Sequence, residues 1–192
     1  MKRYLWTAGL IFALCACGTT DSNSGDTNSG PVDRTVYPEG PYGADEGPVV
    51  ANHQLITASG GDYSIGADIR ENTDNKLLLI SSGAAWCTAC IEEQPKLEEF
   101  YNEYNSQGLE ILEVIFQDIE ANPGTAEDAQ AWIDEFGCSY PVVADGEAQF
   151  DQYQDPSLAP LIMLVELDTM TILKKSSGFQ ESLFEALIQS QL

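Results

Sequence analysis

Leu77-Leu78-Leu79-Ile80-Ser81-Ser82-Gly83-Ala84-Ala85-Trp86-Cys87-Thr88-Ala89-Cys90 sets an apolar run ahead of two closely spaced cysteines. The run Leu77–Ile80 is wholly aliphatic and too short for a helix, as expected of a strand buried on both faces. Beyond Cys87 the period changes. Leu97, Phe100, Tyr101 and Tyr104 follow the i, i+3, i+4, i+7 rule of a helix, and Gly108 ends it. Cys87 therefore falls at a helix N-terminus, where unpaired amides and the helix dipole favour thiolate over thiol. Cys90, one turn later, is placed to attack a mixed disulfide at Cys87 and release the partner. Two intervening residues allow both a disulfide and a stable dithiol, which a redox cycle needs.

Two other uses of the pair are weaker. A zinc site needs two more ligands, and in the body of the chain only Cys138 and His53 remain. A purely structural disulfide closing so short a loop constrains little unfolded-chain entropy. Cys138, between a helix stop and a strand, reads as a buried inert thiol, and His53 as a surface residue.

Outward from the pair, strands and helices alternate. Gln54–Thr57 and Tyr63–Ile65 form an N-terminal hairpin around Ser59-Gly60-Gly61-Asp62. Leu109–Phe116 is a second apolar strand, and Thr125 caps a helix bearing Ala129, Trp132, Ile133 and Phe136. Pro141–Ala144 is a short strand and Glu147–Tyr153 a short helix. Leu161–Leu167 and Thr171–Ser176 make a late hairpin, and Leu183, Phe184, Leu187 and Ile188 line a closing helix. Helical crossovers give parallel pairs and the hairpins antiparallel ones, so the class is α/β with a mixed β-sheet flanked by helices.

Composition narrows the function. The chain has 192 residues, 43% of them hydrophobic, with 8 Lys+Arg against 31 Asp+Glu and a formal net charge of −23. Such a surface repels phosphate backbones, which speaks against nucleic-acid binding. A single histidine argues against Ser-His and Cys-His catalysis and against His-rich metal sites. Residues 1–16 read as an export signal, Met1-Lys2-Arg3 followed by a short apolar core. Leu14-Cys15-Ala16-Cys17 resembles a bacterial lipobox with Cys17 as the lipidated residue. Gly18 follows Cys17 where an inner-membrane retention signal would place Asp. In a two-membrane cell the periplasmic side of the outer membrane is therefore favoured. Residues 17–36, rich in Gly, Ser, Thr, Asn and Asp, are expected to be a flexible tether, and 37–192 the folded domain.

With these residues in place, the domain resembles the thioredoxin-fold thiol–disulfide oxidoreductases of the TlpA/ResA type. The resemblance rests on Trp86-Cys87-Thr88-Ala89-Cys90, Glu93, Pro95, the segment Tyr140–Asp145, Ala159-Pro160 before an apolar strand, and Gly178. It implies a thioredoxin-like fold with one inserted helix–strand unit. It also implies Cys87 as nucleophile, Cys90 as resolving thiol and Glu93 as a carboxylate that tunes proton transfer. Trp86, Ala159 and a cis-Pro160 would border the substrate cleft, where backbone pairs with an extended segment. Protein thiols and disulfides would be the partners, apocytochrome c or other exported proteins among them. The protein would be a monomer, and no cofactor or metal is called for because the electrons reside in the cysteines. One departure matters: the buried acid that thioredoxin carries six residues before the first cysteine is here Ser81. No acid is therefore expected from that side. The rival reading is a binding or scaffold lipoprotein that keeps the fold without turnover.

Overall fold

The computed structural model describes residues 31–192. The expected export signal, the expected lipidation site Cys17 and most of the expected tether lie outside the described residues. The strands are β1 (Gln54–Thr57), β2 (Asp62–Ser64), β3 (Leu77–Ala84), β4 (Leu109–Gln117), β5 (Val142–Ala144), β6 (Leu161–Glu166) and β7 (Thr171–Ser177). The helices are α1 (Thr88–Tyr104), α2 (Ala126–Phe136) and α3 (Glu181–Gln191). All seven strands join one sheet in the order β2-β1-β5-β4-β3-β6-β7. Pairs β3–β4 and β4–β5 are parallel, and β1–β2, β1–β5, β3–β6 and β6–β7 antiparallel. This is the expected mixed sheet and a thioredoxin-like α/β arrangement. The unit α2–β5 is inserted between the βαβ half that carries the cysteines and the closing ββα half.

Alternation along the strands builds two cores. Leu77 and Leu79 of β3 join Ile111 of β4, Ile162 of β6, Leu97 and Phe100 of α1, Trp132 of α2 and Phe184 of α3. Leu78 and Ile80 point the other way, into a cluster with Val114, Met163, Ile65, Ile69, Phe150 and Tyr153. Each such side chain contributes about 1.5–3 kcal/mol on burial, so β3, buried at every position, anchors the molecule.

Local signals explain most boundaries. Thr125 caps α2 with a reciprocal box: Asp128 N–H donates to Thr125 Oγ1, and Thr125 N–H to Asp128 Oδ2. Gly137 closes α2 in the left-handed region, φ 65°. The late hairpin turns through Met170 at φ 56°. The fully buried Met170 side chain offsets that backbone cost by packing into the second core.

Two elements differ from expectation. Ile65 does not extend β2 but opens a π-helical segment, Ile65–Arg70. Ser64 caps it, and the buried Arg70 guanidinium holds it by donating to the carbonyls of Arg34, Val36 and Asp168. Arg34 in turn donates to Asp168 and to the carbonyls of Asn72 and Asn75. The expected helix at Glu147–Tyr153 shrinks to a 3-10 turn, Gln149–Gln152, with a second at Pro156–Leu158.

His53 is a correction. It is 5% exposed, with Nε2 at 2.7 Å from the Tyr153 hydroxyl and Nδ1 at 3.2 Å from Gln149 Oε1. The 3-10 turn folds Phe150 and Tyr153 over the imidazole. A short polar segment read in isolation does not reveal a lid supplied about a hundred residues away. Burial lowers the pKa of His53.

Candidate active site

Strand β3 delivers the chain to Ala84, and α1 starts at Thr88 with Cys87 as its N-cap. Cys87 Sγ accepts the Cys90 amide N–H at 3.1 Å, where a capping oxygen would ordinarily stand. That hydrogen bond and the helix dipole both favour negative charge on the Cys87 sulfur. The two cysteines are joined, with S–S 2.10 Å and Cα–Cα 5.3 Å. Cys87 is 5% exposed and Cys90 0%. In the disulfide form both residues are buried, Cys87 marginally the less so.

Trp86 stands beside the pair, 38% exposed. Its indole N–H donates to Gln117 Oε1 at 3.0 Å and its ring meets Phe116 edge-on. The Ala159–Pro160 peptide is cis, and Ala159 packs against the same apolar cluster as both cysteines. A cleft next to it is lined by Ser82, Phe116, Phe150, Ala159 and Leu161, together with Asp151 and Asp155. Ile91 of α1, Ile119 just beyond β4 and Leu158 just ahead of the cis peptide are exposed apolar side chains.

Glu93, one turn along α1, reaches the loop before α3. Its Oε1 accepts the Phe179 N–H at 2.7 Å, while Oε2 is buried without a partner. Burial raises its pKa, against the pull of the Phe179 hydrogen bond. Gly178 sits at φ 80°, and a Cβ there would approach Glu93 Oε1 at 3.3 Å, so the glycine lets the carboxylate reach that amide.

The expectation that no acid approaches from the Ser81 side is overturned. Ser81 pairs in register with Glu113 of β4, and Glu113 is 0% exposed. Alternation sets Glu113 on the face of Ile111 and Ile115, the face that α1 covers. Gln94 of α1 donates from Nε2 to Glu113 Oε2 at 3.3 Å and to the Cys90 carbonyl at 3.0 Å. The Tyr140 hydroxyl donates to Gln94 Oε1 at 2.9 Å and so fixes that amide. Glu113 Oε1 and Ser81 Oγ are both buried without a well-formed hydrogen bond, although Ser81 stands close enough to favour the ionised carboxylate. Loss of water pushes the Glu113 carboxyl up to about 8. Its sequence signal is a lone charged residue at an inward position of an apolar strand.

Cys138 is half-buried, and its thiol lies 3.9 Å from Gln94 Oε1. Burial pushes the thiol up to about 11, so little of it is thiolate at neutral pH. Iodoacetamide at pH 7.5 should therefore label Cys138 at a small fraction of the rate of free cysteine. Labelling as fast as the free amino acid, or a Cys87–Cys138 disulfide on a non-reducing gel, would demand a three-thiol mechanism. Among the described residues, no cluster of three or more His, Cys, Asp or Glu is arranged as a metal site.

A thioredoxin-like sheet, a cis Ala159–Pro160 peptide whose alanine packs against the apolar cluster of the pair and a CxxC disulfide capping α1 define the class: a thioredoxin-fold protein with a disulfide-forming cysteine pair. Residues 49–156 match the AhpC/TSA family, and the chain belongs to that family. Among curated proteins it is similar to the thiol-disulfide oxidoreductase ResA of Halalkalibacterium halodurans, 27% identical over 123 residues. That match covers 64% of this chain and 65% of the relative's length. ResA of Bacillus subtilis is 24% identical over 183 residues, 95% of this chain and 89% of that one. Among solved structures, a thiol-disulfide oxidoreductase from Bacteroides fragilis aligns with TM-score 0.60 at 20% identity, over 75% of this chain and 99% of that one. At that identity the likeness shows the fold.

Proposed function

We propose that this chain is an exported, lipid-anchored oxidoreductase of the ResA/TlpA type that exchanges disulfides with partner proteins through Cys87 and Cys90. The observation that carries the reading is the Cys87–Cys90 disulfide at the start of α1, with the Cys90 amide donating to Cys87 Sγ. Cys87 attacks a partner disulfide, Cys90 resolves the mixed disulfide, and Glu93 assists proton movement. Trp86, Ala159 and Pro160 border the partner segment, and exposed Trp86 and Ile91, next to the cysteines in the chain, suit an extended protein strand. Partners are exported proteins bearing thiols or disulfides, apocytochrome c among them, and the enzyme works as a monomer.

Catalysed reduction of insulin by dithiothreitol tests the activity. Precipitation no faster than with dithiothreitol alone would refute it. Anchoring rests on Leu14-Cys15-Ala16-Cys17 and on residues 17–36 as the tether. It predicts a mature protein that starts at Cys17 and partitions into detergent. Cys17→Ser should leave it soluble or uncleaved, and unchanged partitioning would end that part of the proposal.

A further inference from the structure

Thiol–disulfide exchange asks two things of Cys90 that its surroundings oppose. It must lose a proton to attack the mixed disulfide, yet it is fully buried, where loss of water disfavours the thiolate. The helix dipole that serves Cys87 fades within the first turn. A base is therefore needed within reach of Cys90 Sγ.

Gly83 reveals where it stands. A Cβ built on Gly83 would lie 3.1 Å from Cys90 Sγ and 3.3 Å from Glu113 Oε1, so one point is in contact range of both atoms. The oxygen facing that point is the one without a well-formed hydrogen bond, whereas Oε2 is held by Gln94. A fully buried carboxylate oxygen without a well-formed hydrogen bond is costly, and a role in proton transfer is one reason to keep it.

We propose that Glu113 is the proton acceptor for Cys90, working across the gap that Gly83 leaves open. This rests on the thiol–disulfide exchange proposed above. In the reductive direction the Cys87 thiolate opens the partner's disulfide, forms a Cys87–partner bond and releases one partner thiolate. Where Glu113 is ionised, a fraction that grows as pH rises toward 8, Cys90 S–H then gives its proton to the carboxylate, and its sulfur attacks Cys87 Sγ. The Cys87–Cys90 bond forms as the second partner sulfur leaves. The pair has lost two electrons, the partner has gained two, and the proton rests on Glu113 until it passes to thiolate or water. In the opposite direction protonated Glu113 returns it to Cys90. A carboxyl titrating near a thiol's own range exchanges protons with it in both directions. The other titratable groups around Glu113 are Glu93 of α1 and Cys138 and Tyr140 ahead of β5.

Single-turnover reaction of the reduced protein with 5,5′-dithiobis(2-nitrobenzoate) separates the steps. Cys87 releases a first yellow thiolate, and Cys90 releases a second when it closes the disulfide. Glu113→Gln should leave the first burst in place, slow the second about 100-fold at neutral pH, and remove an inflection near pH 8 from its profile. Glu113→Asp keeps a carboxyl and should keep that inflection with a smaller loss of rate, which a merely structural role would not do. Without any variant, reduced-minus-oxidised infrared spectra of the wild type should show a change in a protonated-carboxyl band. A second burst of equal rate and profile in wild type and Glu113→Gln, or an infrared difference without that band, would overturn the proposal while leaving exchange through the pair intact. Absence of the first burst from the wild type would instead overturn the exchange itself, and this assignment with it.

Discussion

Cys90→Ser should accumulate mixed disulfides between Cys87 and partner proteins, visible as ladders on non-reducing gels. Cys87→Ser should show none and lose insulin reduction down to the uncatalysed background. The asymmetry follows from the start of α1. Cys87 Sγ receives an amide N–H and the dipole, while Cys90 sits a turn inside at 0% exposure. With Cys90 gone, nothing resolves the first covalent step, so the adduct persists. Trapping by Cys87→Ser and not by Cys90→Ser would reverse the two roles. Failure of both variants to trap, together with a wild type that does not reduce insulin, would favour a binding module that kept the fold.

The second large effect is on stability. The oxidised protein should lose stability as pH rises from about 5 to about 8, with Glu113 contributing up to about 1.4 kcal/mol per pH unit. Glu113 titrates near 8 when folded and near 4.5 when unfolded. Between those values the native state keeps a proton that the unfolded state has given up, so raising pH favours unfolding. Below both values, and above both, its contribution is flat. Glu93 and Glu110, also raised by burial, add slopes of the same sign. His53, lowered by burial, acts oppositely, since protonating the unfolded imidazole favours unfolding as pH falls below its ordinary range. Comparison with Glu113→Gln cancels these other groups. The variant is neutral throughout, so its urea-unfolding free energy should be much flatter and should exceed the wild type's at pH 8. Parallel pH curves for the two proteins would mean that Glu113 ionises normally.

Much of the fold was legible because its signals are local. Leu77–Ile80, the helical spacing from Leu97 to Tyr104, the Thr125 cap and the Gly137 stop each act within a few residues, and each marks its element. The cysteine pair was legible for the same reason. What escaped depends on partners far along the chain. Glu113 matters because β4 lies in register beside β3 and because Gly83 leaves a gap, and neither fact is visible around residue 113. His53 is enclosed by residues near 150, and the π-helical segment is held by carbonyls of Arg34, Val36 and Asp168. Looking only for an acid on β3 missed one supplied by its neighbour.

The inserted α2–β5 unit bears on this chemistry from the sheet's edge. Without β5 and the hairpin strands beyond it, β4 would be the outermost strand of the sheet. A carboxyl on such an edge strand would have one flank nearer to water, and the loss of burial would draw its pKa back toward the ordinary carboxylate range. With β5 paired along Glu113–Ile115 and Tyr140 closing over Gln94, the same residue is sealed. An added strand, distant in sequence from the cysteines, thereby sets the acidity at which their inner sulfur can be discharged. Shortening that insertion would retune the enzyme's working pH while leaving every atom of the CxxC motif in place.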